Sequence, residues 1–176
     1  FDFLRKSLQD ETPIPTDIHQ RLRQLLLEYV VVGGMPEAVK TFFATHDMNQ
    51  VCQVQRHILN GYRDDMIKYA RAEDKPRIRE CFDSIPRQLS RDNKKFTYSQ
   101  VRKGGRSKEY ISCLQWIEDA GIVRRCYNLM LPELPLSGNT IQDCFKVYMA
   151  DTGLLVSMLD DGTQGDILQG NLWTYK

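Results

Sequence analysis

Apolar residues recur every three or four positions along most of the chain, which is the period of amphipathic helices. The first half reads as four helices, which the pattern places at Asp2–Leu8, from Thr16 or Asp17 onward, from Pro36 onward, and from Met48 to about Arg71. The second helix is predicted to bury one apolar stripe, formed by Ile18, Leu22, Leu25, Leu26 and Tyr29. Its β-branched end, Val30–Val32, is expected to fray or turn, because such side chains crowd the preceding helical turn.

Proline, glycine and short polar residues predict where these helices are interrupted. Pro13 and Pro15 break the chain before the second helix. The segment Gly33-Gly34-Met35-Pro36 predicts a tight turn, and Pro36 suits the first turn of a helix, where its missing N–H has no partner to lose. Thr16 or Asp17 is predicted to cap the second helix and Asp47 to cap the long helix, since their side-chain oxygens can accept from the free N–H groups there.

The second half predicts helices interrupted by a hairpin. A helix runs from Pro76 to Leu89, and Pro86 is expected to kink or shorten it. Two alternating segments, 122–130 and 145–149, predict strands on either side of a long loop. The remaining predictions are, in chain order, a short strand or extended turn over Asn93–Tyr98, a helix capped by Ser107, and a last helix capped by Asp151 or Thr152.

This order of elements is that of a winged helix-turn-helix. The candidate recognition helix is Ser107–Ala120, and the candidate wing is Asn128–Gln142. The polar segment Glu73–Pro76 is the predicted boundary between a helical module, residues 1–73, and the winged-helix domain, residues 74–150. The predicted fold class is therefore mainly α with a small β-hairpin, in which a helical bundle precedes the winged helix.

Composition narrows the classes of protein that fit. The 176 residues carry 24 Lys and Arg against 23 Asp and Glu, a net charge of +1, which excludes a polybasic or acidic low-complexity chain. No apolar run approaches the ~20 residues that span a bilayer, and no signal peptide is evident, so we expect a cytoplasmic protein without a membrane partner. The five cysteines form no CxxC pair and the three histidines are far apart, so we expect reduced thiols and no metal site.

Several segments together resemble the C-terminal portion of prokaryotic ATP-binding proteins of the AAA/STAND group. The similar segments are Tyr29–Val39 with its Gly-Gly-x-Pro turn, Asn60–Tyr69, Phe96–Ser99, Tyr110–Val123 and Phe145–Leu155. The resemblance implies a P-loop core, a helical lid, a winged helix and a C-terminal domain of unknown function 4143 with a restriction-endonuclease-like fold. On this basis, residues 1–73 are the lid-like module and residues 151–176 begin the truncated C-terminal domain.

The resemblance also implies that the ATPase core precedes residue 1. No Gly-x-x-x-x-Gly-Lys-Ser/Thr motif is present in the sequence, so we expect these residues to have no catalytic site and no cofactor of their own. The parent protein is expected to be an ATPase that uses ATP and Mg²⁺, with the P-loop core as a partner in cis. The first functional hypothesis is a non-catalytic regulatory and docking region that couples the nucleotide state of that core to the winged helix.

Two sets of residues are candidate binding sites. In the ATPases that the sequence resembles, the Gly-x-Pro turn reaches the nucleotide. The resemblance therefore implies that Gly33, Gly34 and Pro36 contact nucleotide when the core is present. The alternative is that these residues form only a corner between two helices. The second set is basic and surrounds the candidate recognition helix: Lys94, Lys95, Arg102, Lys103, Arg106, Lys108, Arg124 and Arg125. These side chains could neutralise DNA phosphates, but Glu109, Glu118 and Asp119 on the same helix also fit a solvated face or a protein-docking surface.

Two rival functions remain open at the level of sequence. One is a stand-alone winged-helix module that binds DNA in the manner of a transcription regulator. The other is a nuclease fragment, suggested only by Glu73-x-Lys75, which lies in a polar break and not on a buried strand. Asp151 follows a predicted strand but is explained as a helix cap.

Overall fold

The computed structural model describes residues 2–171 and is mainly helical, with one small antiparallel sheet. This confirms the coarse fold class. The elements in chain order are α1 (Asp2–Gln9), α2 (Thr16–Val32), α3 (Pro36–Thr45), α4 (Met48–Tyr69), α5 (Lys75–Leu89), α6 (Ser107–Asp119), β1 (Val123–Leu129), β2 (Thr140–Met149), α7 (Thr152–Ser157) and α8 (Thr163–Leu168). Short 3₁₀ turns span Tyr98–Gln100 and Leu136–Asn139.

The ends of the helices confirm some capping predictions and correct others. Asp47 caps α4 as predicted, its side chain accepting from the Asn49 N–H at 2.8 Å. The predicted caps Thr16 and Asp17 are wrong, because Pro15 precedes α2 and no side chain caps it. Pro86 lies within α5, which still continues to Leu89. Only one turn follows this proline, so little of the helix depends on the hydrogen bond that it cannot donate.

The buried face of α2 differs from the predicted stripe. Leu27, Val31 and Val32 are buried, whereas Leu25 and Leu26 are exposed. The helix continues through the three valines and ends at Gly33, so the predicted fraying is also wrong. Leucine or valine occupies six of the eight positions from residue 25 to residue 32, and periodicity cannot select one face of a segment that is apolar almost all round.

The hairpin is longer and less regular than predicted. β1 and β2 pair from Val123 opposite Met149 to Tyr127 opposite Phe145, and the ladder then shifts through a bulge between Tyr127 and Asn128. The predicted second strand began at Phe145, but β2 begins at Thr140. Segment 93–98 forms no strand; a backbone hydrogen bond from Phe96 N–H to Phe145 O, 2.9 Å long, holds it against β2.

Two hydrophobic clusters connect parts of the chain that are distant in sequence. The larger one joins α4, α5, α6, the hairpin and α7, for example through Met66, Phe82 and Leu154. Met66 and Phe82 lie on opposite sides of the predicted boundary near residue 73, so the core is continuous across it. A second cluster packs Leu27 and Val31 of α2 against Val156 and Ile167, which brings α7 and α8 back to the first helices.

Candidate functional site

The Gly33–Pro36 turn is joined to the start of α7 by one carboxylate. Gly33 ends α2 with φ of 69°, and its N–H donates to the carbonyl of Tyr29 at 2.8 Å. The N–H of Gly34 donates to Oδ2 of Asp151 at 2.6 Å. Oδ1 of Asp151 accepts from the Leu154 N–H at 2.8 Å and caps α7, as predicted. A single buried side chain therefore fixes two backbone segments that are 117 residues apart.

The two segments approach so closely that glycine is needed on both sides. A Cβ atom on Gly33 would lie 2.4 Å from Oδ1 of Asp151 and 2.8 Å from the N atom of Gly153. A Cβ atom on Gly153 would lie 2.6 Å from the carbonyl oxygen of Val32. Side-chain atoms do not occur at such distances without displacing their neighbours, so the glycines permit this close backbone contact.

A buried glutamine completes the contact. The Nε2 atom of Gln55 donates to the carbonyl oxygens of Val31 and Val32, at 2.8 and 3.0 Å. These carbonyls belong to the last turn of α2, where a helix leaves its acceptors without partners. On the same helix as Gln55, burial raises the pKa of Tyr62, and the negative charge of Asp151 raises it further.

These contacts place the three predicted nucleotide-contacting residues in a defined setting. Pro36 opens α3 at its first turn as predicted, with Met35 before it in an extended conformation. The Gly34 N–H is engaged by Asp151, so a carboxylate lies beside the turn. The sequence predicts only a capping role for Asp151 and gives no role to Gln55. A glutamine among the apolar positions of α4 was the one local signal for it.

An apolar groove, which we call the α2–α3 groove, opens beside this turn. It has a volume of about 380 Å³, and one charged residue, Glu28, lies among its lining residues, which are otherwise Leu25, Tyr29, Val32, Gly33, Gly34, Val39, Phe42 and Phe43. Tyr29 is 62% exposed and Phe43 is 71% exposed. Part of the stripe that was predicted to be buried therefore lines an open groove, and contiguous exposed apolar surface is typical of interaction sites.

The structure divides the predicted basic cluster. Arg125 is largely buried and contacts Glu118 of α6: its backbone N–H donates to Oε1 at 2.9 Å and its Nε donates to Oε2 at 2.5 Å. Its Nη2 also donates to Oε1 of Gln115, the side chain on α6 most suited to reading bases. The Nε2 of Gln115 in turn donates to Asp119 at 2.7 Å. Both Arg125 and Gln115 are thus engaged within the protein.

The other basic residues occupy different places. Arg102 lies 3.7 Å from Glu80 of α5, and Glu80 also accepts from the hydroxyl of Tyr110 at 2.6 Å. Burial and this hydrogen bond raise the pKa of Tyr110 to about 12. The residues at and before the start of α6 are exposed, namely Lys103, Arg106 and Lys108, and so are three residues on the side of the hairpin, namely Lys94, Lys95 and Arg124.

Replacing Arg125 by methionine should lower the free energy of unfolding by about 2 kcal/mol at pH 7. Removing one partner of a buried ion pair costs about 3–5 kcal/mol, and this pair keeps a little exposure. Burial alone would raise the pKa of Glu118, but the hydrogen bonds and charge of Arg125 outweigh it and lower that pKa. The stabilisation is therefore present above the ordinary pKa of glutamate and is lost as the pH falls through the lowered value.

Urea denaturation across this pH range measures the effect. The difference between Arg125→Met and the parent should narrow in acid, where Glu118 of the variant becomes neutral. Arg124→Met is the matched control, because Arg124 is the exposed neighbour on the same strand and its charge makes only the smallest contribution to lowering the pKa of Glu118. Equal losses from the two variants, or an Arg125→Met loss that does not change with pH, would refute this account of the pair.

Within residues 2–171 no helix is long and apolar enough to cross a membrane, and no group of three or more His, Cys, Asp or Glu side chains could hold a metal ion.

Comparisons with known proteins give one match, which is to a family model. Neither the curated proteins nor the solved structures include a match to the sequence. The family model described as "Domain of unknown function (DUF8612)" matches residues 23–165. This span runs from α2 into α8, includes the turn, the groove and the hairpin, and shows that the chain belongs to the DUF8612 family.

Proposed function

We propose that these residues form the non-catalytic regulatory and docking region of a prokaryotic ATP-binding protein of the AAA/STAND type. The P-loop core would be its partner in cis and would bind ATP and Mg²⁺. The helical module would act as the lid, and the winged helix formed by α5, α6 and the hairpin would transmit the nucleotide state to protein or DNA. The support comes from the motif resemblance together with the contacts around the Gly33–Pro36 turn.

The proposal depends on the two hydrogen bonds by which Asp151 connects the Gly34 N–H to the start of α7, which we call the Asp151 bridge. It connects the turn that is expected to contact the nucleotide with the end of the hairpin, because Asp151 lies only two positions after Met149, where β2 ends. Because Asp151 also caps α7, a displacement of the turn would move or release both the end of the hairpin and the start of that helix. Nucleotide bound by the core would then favour one of two arrangements, provided that it contacts the turn differently in each.

The α2–α3 groove supports the docking part of the proposal. It adjoins the turn, so a core that presented nucleotide to Gly34 and Pro36 would also lie against Tyr29 and Phe43. Both of these side chains are more than half exposed. Burying such side chains fully contributes roughly 1.5–3 kcal/mol each, which would help to keep the core and lid together between nucleotide-binding events.

The second candidate function is a stand-alone DNA-binding module, and the order of elements favours it. α5, the 3₁₀ turn at Tyr98–Gln100, α6 and the β1–β2 hairpin follow one another as in a winged helix-turn-helix. The engagement of Gln115 and Arg125 within the protein weighs against base reading by α6. We therefore place regulation by a core ahead of a transcription-regulator role.

Hydrogen exchange on the intact parent protein tests the proposal. A non-hydrolysable ATP analogue with Mg²⁺ should change the protection of residues 29–36 and of residues 151–155 together. Tyr29→Ser with Phe43→Ser should weaken this coupling, because both residues line the groove, while Leu8→Ser, an exposed leucine on α1, should not. A reading frame without a P-loop upstream of residue 1, or a nucleotide response that leaves both segments unchanged, would overturn the proposal.

A further inference from the structure

The outer face of the β1–β2 hairpin forms a groove that the proposed function does not use. Its volume is about 480 Å³, and the side chains that matter here are Asn93, Lys95, Asn128, Lys146, Tyr148 and Cys126. Among residues 2–171, those that line it include lysines, asparagines, tyrosines, cysteines and a phenylalanine, but no carboxylate. We call it the hairpin groove.

The strand register explains why these side chains share one face. Side chains alternate between the two faces of a strand, and Val123, Phe145 and Val147 point into the core. The residues between them point outward, so that Arg124 stands opposite Tyr148 and Cys126 stands opposite Lys146. Cross-strand partners lie about 5 Å apart at Cβ, which places two cations beside an aromatic ring on a single surface.

Segment 93–95 supplies the wall of the groove. The hydrogen bond from Phe96 N–H to Phe145 O holds this segment against β2. The side chain of Asn93 accepts from the Lys95 N–H at 3.0 Å, and Lys94 between them has φ of 50°. This local geometry fixes the position of Lys95 beside the hairpin, where it lines the groove together with Lys146. Arg124 lies next to the lining residues, opposite Tyr148, and adds a third cation.

The charges near the groove favour an anionic ligand. Glu118 is hydrogen-bonded to Arg125 on the opposite side of β1 from Cys126, and the charge of Arg124 makes only the smallest contribution to lowering the pKa of Glu118. Asp143 interacts electrostatically with Tyr98, which packs against Phe96 and Phe145 on the core side. Among the described residues, no carboxylate forms an ion pair with Lys95, Arg124 or Lys146, so these cations keep their attraction for phosphate. The asparagine amides offer further donors and acceptors.

Tyr148 narrows the class of anion. It is 39% exposed, Arg124 is its cross-strand partner, and Lys146 lies two residues before it on the same face of β2. An exposed aromatic ring among phosphate-binding cations is the combination that binds single-stranded nucleic acid, because an unpaired base can stack on the ring while the backbone meets the cations. In a duplex the bases are paired and stacked on one another, so they are not free to cover Tyr148.

We propose that the hairpin groove binds single-stranded nucleic acid, with Lys95, Arg124 and Lys146 contacting phosphates and Tyr148 stacking on a base. This proposal differs from DNA reading by α6, and it does not require the ATPase core. It uses Lys95 and Arg124 of the basic cluster predicted from the sequence and adds Lys146 and Tyr148, which lie outside that cluster.

Fluorescence anisotropy with a labelled single-stranded oligonucleotide tests the proposal. A length of about twelve nucleotides lies within the site sizes typical of such grooves. The double variant Lys95→Glu/Lys146→Glu should weaken binding at least tenfold. The control Lys103→Glu/Lys108→Glu changes net charge equally but alters the segment at the start of α6, and its affinity should stay within about twofold of the parent.

Tyr148→Leu should weaken binding about fivefold or more, which corresponds to the lower end of the free energy of one stacking interaction. Affinity should fall with salt with a log–log slope of about −2, as expected for three phosphate contacts to a single strand.

Alkylation of the unaltered protein provides an independent readout. Cys126 lies in the groove and is exposed, whereas Cys52 of α4 lies outside it. Bound oligonucleotide should slow the reaction of Cys126 with N-ethylmaleimide and leave Cys52 unchanged. Three results would each overturn the proposal: equal losses of affinity from the two charge-reversed variants, tighter binding to a duplex of the same length than to the single strand, or Cys126 that reacts equally fast with and without bound oligonucleotide.

Discussion

Replacing Gly153 by alanine should lower the free energy of unfolding by about 3 kcal/mol. The added Cβ atom would lie 2.5 Å from Nε2 of Gln55 and 2.6 Å from the carbonyl oxygen of Val32. The second of these atoms is backbone in the last turn of α2, so it cannot move aside as the end of a flexible side chain could. Forcing extra atoms into a closely packed site costs about 1–3 kcal/mol, and we expect the upper end because the Gln55 hydrogen bonds would be disturbed as well.

Chemical denaturation of Gly153→Ala and Gly165→Ala measures this effect. Gly165 lies in α8, and a Cβ atom there would meet nothing within 4 Å. Alanine is favoured over glycine within a helix by roughly 0.5–1 kcal/mol, so the control should be neutral or slightly stabilising. A loss below about 1 kcal/mol for Gly153→Ala would mean that α2 and α7 do not approach as closely as described.

Replacing Asp151 by alanine should cost about 2–3 kcal/mol. The variant loses the cap of α7, which contributes about 1 kcal/mol. It also loses the bond to the Gly34 N–H, and hydrogen bonds to charged groups contribute about 1.5–3 kcal/mol. Asp151 is only 7% exposed, so water cannot fully replace the lost acceptor.

The cap at Asp47 is the matched control for this variant. Asp47 accepts from the Asn49 N–H in the same manner, but its hydrogen bonds are exposed and local. Asp47→Ala should therefore destabilise the protein by less than half as much as Asp151→Ala, as measured by thermal or urea unfolding. Asp151→Asn should also destabilise it, because an amide that accepts from Leu154 turns its NH₂ group toward the Gly34 N–H. Equal losses at positions 47 and 151 would contradict the bridging role.

Local sequence patterns predicted the elements whose signals are local. The cap at Asp47 and the proline at the start of α3 were correct because each depends on a few neighbouring residues. The buried face of α2 could not be predicted, since leucine and valine occupy most positions around that helix. Which of them are buried depends on Val156 and Ile167, more than 120 residues further along the chain.

The candidate sites were less predictable than the fold for the same reason. Gly33 and Gly34 were recognised as a turn, but the partner that makes glycine necessary, Asp151, has no relation to them in local sequence. The sequence shows the positive charge of Arg125, which makes it a candidate DNA contact, but it does not show the pairing of Arg125 with Glu118. Lys146 and Tyr148 became notable only when the strand register placed them opposite Cys126 and Arg124.

The Asp151 bridge also sets an order for folding during synthesis. α2, α3 and α4 can form as soon as they leave the ribosome, and Gln55 can already satisfy the end of α2. The Gly34 N–H must wait for a carboxylate 117 residues later. Until then the nascent chain exposes Leu27 and Val31 as well as the α2–α3 groove, so a chaperone would have the most apolar surface to protect at this stage.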